Sequence, residues 1–135
     1  MITKLLIAGF LLAHGAIHSG FISPRPAATA GGPAWPFELT RSWILSPLGI
    51  DPETTRLVGT ALVAATVAGF ALAALGTLGL LPESAWAPAL VVGAVASLGL
   101  LALFFHPWLV VGIGIDALLL WAAIIVSWTP SSLGG

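Results

Sequence analysis

Four long stretches of apolar sequence, almost free of charge, dominate this chain of 135 residues. Each is close to or above the roughly 20 residues that a helix needs to cross a bilayer. Charged residues make up 7% of the sequence, against about 25% in soluble domains, and cannot cover the outside of a soluble fold. We therefore predict an all-α fold, an integral membrane four-helix bundle that forms a single domain over residues 1–135. The predicted spans are about 2–22, 55–81, 86–105 and 108–128.

The composition excludes several classes of function. Cysteine is absent, which excludes disulfides, thiolate metal ligands and redox-active thiols. The net charge is −1 and there is no basic block, so nucleic acid is not an expected partner. The start of the chain, Lys4 followed by an apolar run, is similar to a signal peptide. Because Pro24, Pro26 and two histidines depart from that pattern, we expect a retained first helix.

Only the connection between the first two spans, residues 23–52, is long enough to hold structure of its own. Its first half is rich in proline and glycine, and its second half mixes aromatic residues with charged ones, among them Glu38 and Arg41. This mixture is typical of a short interfacial helix or a lid on the bundle, and a plain anchor to lipid headgroups fits it as well. Asp51 followed by Pro52 predicts the capped start of the second helix.

A stripe of small residues runs along the third predicted span. Ala89, Gly93 and Ser97 recur at every fourth position. Small side chains let helix backbones approach each other in lipid, so the stripe predicts close packing and indicates no function of its own.

Ionisable residues inside a membrane are costly and mark a candidate functional site. We call the membrane surface at which the loop of residues 23–52 lies the long-loop surface. Measured from that surface, His18 lies about 6 Å deep and His14 about 12 Å deep, at 1.5 Å of rise per residue. The fourth span starts at the same surface, which places Asp116 about 12 Å deep as well. His14 and His18 are four residues apart and share a helix face, so we expect all three to converge, with the loop overhead. The predicted ligand-binding set is His14, His18, Asp116, His106, Glu38 and Arg41.

Three chemistries fit this set. Two histidines four residues apart, with Asp116 or His106, can bind Zn, Cu, Fe or Mn, and the histidines can also serve as axial ligands of haem. Metalloprotease chemistry is excluded, because Gly15 stands where that helix motif has glutamate. A binding site for a quinone or a lipid headgroup is the second chemistry, and a proton relay is the third. A purely structural role, with Asp116 bonded to a histidine or to a hydroxyl such as Thr60 or Thr66, stays open beside them.

A short motif near the end of the first span reads His14-Gly15-Ala16-Ile17-His18-Ser19-Gly20-Phe21, and the last span opens with Pro107-Trp108. In this motif and in its number of spans the chain resembles small bacterial membrane proteins of the DoxX-like type. The resemblance implies the four-helix architecture. It implies no particular activity, and no site residue follows from it.

These observations predict a protein that binds a ligand or cofactor at a His/Asp site in one half of the bilayer, in a bacterial-type plasma membrane. The chain has little sequence outside its spans, which favours self-association or a place as an accessory subunit of a larger membrane complex. The alternative is a membrane oxidoreductase or a metal- or haem-dependent enzyme, with His14, His18 and Asp116 as metal ligands. A structural subunit without a ligand is a third interpretation.

Overall fold

The computed structural model describes residues 1–25, 27, 30–32 and 35–133, and within them it is all-α, as predicted. The four main helices are α1 (Ile2–Ile17), α2 (Pro52–Thr77), α3 (Glu83–Leu103) and α4 (Val110–Leu120). A 3₁₀ turn, His18–Phe21, extends α1, and another, Pro107–Leu109, leads into α4. A π-helical turn, Trp121–Ile125, follows α4, and a 3₁₀ turn, Pro130–Leu133, lies near the end of the chain. With these extensions, four helical segments are long and apolar enough to cross a membrane.

Helix α2 begins where Asp51 and Pro52 predict, three residues before the predicted span of about 55–81, and it ends four residues before the end of that span. It begins at Pro52 because the carboxylate of Asp51 accepts hydrogen bonds from the backbone N–H groups of Glu53, at 3.0 Å, and Thr54, at 2.9 Å. It ends at Thr77, and Gly79 then adopts a φ of 76°, a left-handed conformation that stops the helix. The apolar residues after Thr77 thus belong to a turn, which hydropathy alone does not separate from the span.

Helices α2 and α3 pack against each other through their backbones. A Cβ atom placed on Gly69 would lie 2.5 Å from the Cα atom of Gly93 and 2.8 Å from the carbonyl oxygen of Ala89. Close packing at the small-residue stripe is thereby confirmed. Phe70 and Leu90 fill the core beside this contact.

The loop between α1 and α2 lies over the end of the bundle at the long-loop surface, and we call it the lid. It is made of turns, and its described part contains no helix. The Ser42 hydroxyl donates to the Leu103 carbonyl at 2.6 Å, and the Trp43 indole N–H donates to the Ala102 carbonyl at 2.7 Å. These bonds satisfy carbonyls at the C-terminal end of α3, which have no partner inside the helix. Ser42 also accepts from the N–H of Leu45 at 3.1 Å, a local bond that competes with helix formation. Residues 26, 28, 29, 33 and 34 of the proline- and glycine-rich first half of the loop lie outside the described residues.

Candidate functional site

The predicted convergence of the first and fourth spans is present in the structure. The Nε2 atom of His14 lies 2.7 Å from Oδ1 of Asp116, and both side chains are buried, with 5% and 0% exposure. Asp116 is the one buried residue of Val110–Leu120, a segment described throughout. The equal depths computed from helix rise therefore correspond to a direct hydrogen bond.

Two further side chains complete a hydrogen-bonded chain across three helices. The Ser97 hydroxyl on α3 lies 2.5 Å from Oδ2 of Asp116 and 2.7 Å from Nε2 of His18. The Nδ1 atom of His18 lies 2.9 Å from the carbonyl oxygen of His14. We call the side chains of His14, Asp116, Ser97 and His18 the polar network. It ties the first, third and fourth spans together in one half of the bilayer.

Ser97 was missed as a site residue because it belongs to the small-residue stripe. Its depth in the membrane, obtained from helix rise as for the histidines, identifies it. Since the third span ends at the long-loop surface near residue 105, Ser97 lies about 12 Å below that surface. That is the depth of Asp116, and a hydroxyl at this depth is a natural partner for a carboxylate. The predicted hydroxyl partner Thr66 is buried, and its Oγ1 atom makes no hydrogen bond within the described residues.

The geometry of the polar network limits where its protons can lie. If each of its four contacts is a hydrogen bond, four hydrogens are needed. Two neutral imidazoles and one hydroxyl supply three, and an ionised carboxylate supplies none. The fourth proton makes the network electrically neutral, which suits its burial. It resides either on His18, as an imidazolium that donates to Ser97, or on Asp116, which then donates to Ser97 while Ser97 donates to His18.

A cavity of about 170 Å³ reaches both imidazoles from the side of the bundle. We call it the imidazole cavity. Helix α1 packs mainly on α2, and α4 mainly on α3, so a seam remains between α1 and α4 on which the cavity lies. Ile17, Trp108 and Val111 line its outer part and are 58%, 62% and 72% exposed. The cavity is thus bordered by side chains that would face lipid in a membrane.

Phe37 of the lid lines the imidazole cavity next to Phe21. The two rings meet edge to face, with centroids 5.1 Å apart. Gly20 makes this position available, because a Cβ atom there would lie 3.0 Å from the Phe37 ring. The described part of the lid therefore places an aromatic ring, and no charged group, beside the imidazoles.

The other three predicted ligand residues lie apart from the polar network. His106 caps the turn that begins at Pro107, and its Nδ1 atom accepts from the N–H of Trp108 at 3.3 Å. Arg41 lines a surface pocket together with His106. The Glu38 carboxylate accepts from the N–H of Thr40 at 2.9 Å and from its hydroxyl at 2.7 Å. The expected set of six is thus divided, because a helix cap and a local turn take up His106 and Glu38.

The residues predicted as metal ligands do lie close together. One ligand atom each from His14, His18 and Asp116 can be chosen so that all three lie within 4.8 Å of one another, and all three residues are buried. Haem was expected to use the same histidines. The imidazole cavity is smaller than the roughly 300–1,000 Å³ of most ligand and cofactor sites, so it has room for a small headgroup and not for a whole haem group.

Comparisons with protein-family models, with curated proteins and with solved structures find no match to this chain. The resemblance to DoxX-like proteins therefore stays a prediction. Function has to be inferred from the polar network and the cavities around it.

Proposed function

We propose that the protein binds a lipid-soluble molecule with a quinone-type headgroup, which enters from the bilayer through the seam between α1 and α4. The observation that carries this proposal is the imidazole cavity, which links the lipid-facing seam to His14 and His18. Most ligand sites are apolar with a few convergent polar groups, and this cavity has that character. The proposed location is a bacterial-type plasma membrane, where the chain would serve as a binding subunit by itself or within a larger complex.

The polar network favours one form of the headgroup. In both neutral arrangements of the network, His14 donates its Nε2 hydrogen to Asp116, so its Nδ1 atom keeps a lone pair. Nδ1 of His14 makes no hydrogen bond within the part of the chain that the structure describes. It is therefore an acceptor for a hydroxyl, which a hydroquinone has and a quinone lacks. We expect the reduced form to bind more tightly than the oxidised form.

Fluorescence quenching tests the proposal. Trp108 lines the imidazole cavity, so a short-chain quinone bound there should quench its emission, and Trp108→Phe should remove that part of the signal. A hydroquinone should then compete with the quinone, whereas its dimethyl ether, which has no hydroxyl hydrogen, should compete poorly. Quenching that does not saturate, or that is unchanged in Trp108→Phe, would contradict the proposal.

Two glycines on the fourth helix provide a matched pair of variants. Gly112 lines the imidazole cavity, and a Cβ atom there would meet only a terminal methyl group of Leu101, at 3.1 Å. A Cβ atom on Gly114 would meet nothing within 4 Å. Gly112→Val fills the cavity without touching the polar network and should weaken binding about tenfold, equivalent to about 1.4 kcal/mol. Gly114→Val should bind like the wild type, and equal losses in both variants would argue against this cavity.

Metal binding is a second candidate, favoured by the closeness of the three ligand atoms. Zinc is bound tetrahedrally with bonds of about 2.0–2.2 Å to histidine nitrogen or carboxylate oxygen, so two such atoms on one ion are about 3.4 Å apart. The spread of up to 4.8 Å means that the most distant pair would have to draw together by about 1.4 Å. The donor set of two imidazoles and one carboxylate suits Zn, Cu, Fe or Mn.

Elemental analysis and an absorption spectrum of the detergent-purified protein test the second candidate. A stoichiometric metal that is lost in His18→Ala and retained in His106→Ala would support it, since His106 lies outside the group. A protein without metal before and after addition of these ions would exclude it. Loss of the metal in His18→Ala without a change in quinone quenching would show that metal binding and quinone binding are separate properties.

A further inference from the structure

A second and larger cavity opens at the long-loop surface of the bundle, where α1 ends and α2 begins. Its volume is about 740 Å³, and we call it the surface bowl. Its apolar part includes Phe21 and Leu57, and its charged part consists of two arginines and two glutamates: Arg25, Arg56, Glu38 and Glu53. The formal charges of these four side chains therefore sum to zero, and the bowl offers both cationic and anionic groups to a ligand.

The charged groups are incompletely paired with one another. Arg25 Nη1 and Glu38 Oε2 are 4.0 Å apart, the outer limit of an ion pair, and the two side chains are 61% and 42% exposed. The N–H and hydroxyl of Thr40 bond to the other carboxylate oxygen of Glu38. The N–H of Thr40 in particular lowers the pKa of Glu38 below its usual value, so this carboxylate is ionised at neutral pH. An ionised carboxylate and a guanidinium thus face the same space without saturating each other.

The position of the bowl indicates where a ligand comes from. Its residues belong to the ends of two membrane spans and to the lid between them. This is the level of lipid headgroups in a bilayer, where tryptophan and long charged side chains are enriched. Arginine binds phosphate oxygens through its planar fork of N–H donors, and a glutamate carboxylate accepts hydrogen bonds from a primary ammonium group.

We propose that the surface bowl binds a phosphate ester that also carries a primary amine, the chemistry of a phosphoethanolamine headgroup, with the phosphate at Arg25 and Arg56 and the ammonium group at Glu38 and Glu53. The bowl adjoins the imidazole cavity, since Phe21 and Phe37 line both, but its four charged residues lie outside that cavity and the proposal does not depend on the quinone proposal. Phosphatidylcholine has the same phosphate but no N–H donor, so the two carboxylates discriminate against it. Phosphatidylglycerol has no cation for the carboxylates at all.

Native mass spectrometry of the full chain, released from detergent after incubation with defined lipids, tests the proposal. Phosphatidylethanolamine should be retained at concentrations about tenfold below those needed for phosphatidylcholine or phosphatidylglycerol, which corresponds to about 1.4 kcal/mol. Soluble glycerophosphoethanolamine distinguishes the two sources of the headgroup: displacement of the lipid shows that the headgroup suffices, and retention shows that the acyl chains add to binding. Equal retention of the three lipids would overturn the proposal.

Matched variants separate the bowl from general surface charge. Arg25→Gln and Arg56→Gln should each lower retention of phosphatidylethanolamine about tenfold, whereas Arg41→Gln should not, because Arg41 lies on the same lid outside the bowl. Glu53→Gln should reduce the preference for phosphatidylethanolamine over phosphatidylcholine without abolishing binding of either. An equal effect of Arg41→Gln and Arg56→Gln would show that the bowl is not the site. Size-exclusion profiles confirm that each variant is folded.

Discussion

Helices α2 and α3 meet through their backbones, whereas α1 and α4 meet through side chains that hydrogen-bond. The most apolar windows of α2 and α3 are 39% and 50% buried, and those of the first and fourth spans are 28% and 11% buried. The first pair is closed by Gly69 against Gly93. The second pair is bridged by His14 and Asp116 and leaves the imidazole cavity beside them.

This difference has a physical origin. Lipid offers no hydrophobic force that drives helices together, so helices associate through close van der Waals contact or through hydrogen bonds. Close backbone contact leaves no room for a ligand. A seam held by a few polar side chains keeps a cavity open next to them, and it places the site in the less tightly packed half of the bundle.

The largest expected effect comes from disrupting the tight interface. Gly69→Leu forces side-chain atoms into the backbone of α3 and should lower the free energy of unfolding by about 3 kcal/mol or more. Gly9→Leu is the matched control, because a Cβ atom on Gly9 meets nothing within 4 Å. Thermal unfolding in detergent, followed by circular dichroism, measures both. If the two variants unfold alike, the backbone contact does not hold α2 to α3.

Asp116 tests the polar side of the comparison. Asp116→Ala leaves the buried Nε2 atom of His14 without a partner and removes one of the two hydrogen bonds of Ser97, and should cost about 1–3 kcal/mol. Asp116→Asn should cost much less, since its carbonyl accepts from His14 and its amide donates to Ser97, reproducing the arrangement with a protonated aspartate. The same unfolding measurement ranks the variants. A loss in Asp116→Asn as large as in Asp116→Ala would mean that the network requires the charged carboxylate.

Ser97 should have a smaller effect. Ser97→Ala removes two hydrogen bonds, from Asp116 and from His18, in a network that keeps the bond between His14 and Asp116. Interhelical hydrogen bonds in membranes contribute about 0.6–1.7 kcal/mol, and we expect a loss in that range. Ser19→Ala is the control, because Ser19 is exposed and bonds only within its own turn. An unchanged unfolding temperature in Ser97→Ala would remove Ser97 from the network.

The smallest expected effect concerns the lid. The pKa of Glu38 is lowered, mainly by the N–H of Thr40, so ionised Glu38 stabilises the lid above the usual glutamate range. That stabilisation is lost as the pH falls through the lowered pKa. Limited proteolysis of residues 35–50 should therefore accelerate at acidic pH in the wild type. Glu38→Gln should be cleaved faster at neutral pH and show little further change on acidification, and an unaltered pH profile in this variant would contradict the role of Glu38.

The sequence predicts the architecture well because the bilayer restricts the choice of structure. Four charge-poor stretches have few alternatives to spanning helices, and helix rise then fixes depth. This is why His14 and Asp116 could be paired across 102 positions of sequence. The start of α2 was predictable as well, since Asp51 and Pro52 are a local signal.

The other features of the site depend on the rotation of each helix about its axis and on local hydrogen bonds. The depth of a residue in the membrane determines neither. Ser97 was interpreted as a packing residue because the sequence does not show which way the hydroxyl of a serine among small residues points. His106, Glu38 and Arg41 were expected near the histidines because they lie at the same membrane surface. Bonds within two residues hold His106 and Glu38 instead. The seam itself follows from how α1 and α4 pack, which no single helix encodes.

Photo-crosslinking with an azidoquinone in proteoliposomes is the most direct test of the imidazole cavity as a ligand site. Peptide mapping should place the label on cavity residues of the first and fourth spans, such as Ile17, Val111 and Ile115, and excess hydroquinone should suppress it. Label spread evenly over lipid-facing residues, including the exposed Val92 and Val95 of α3, and insensitive to competitor would contradict the proposed site.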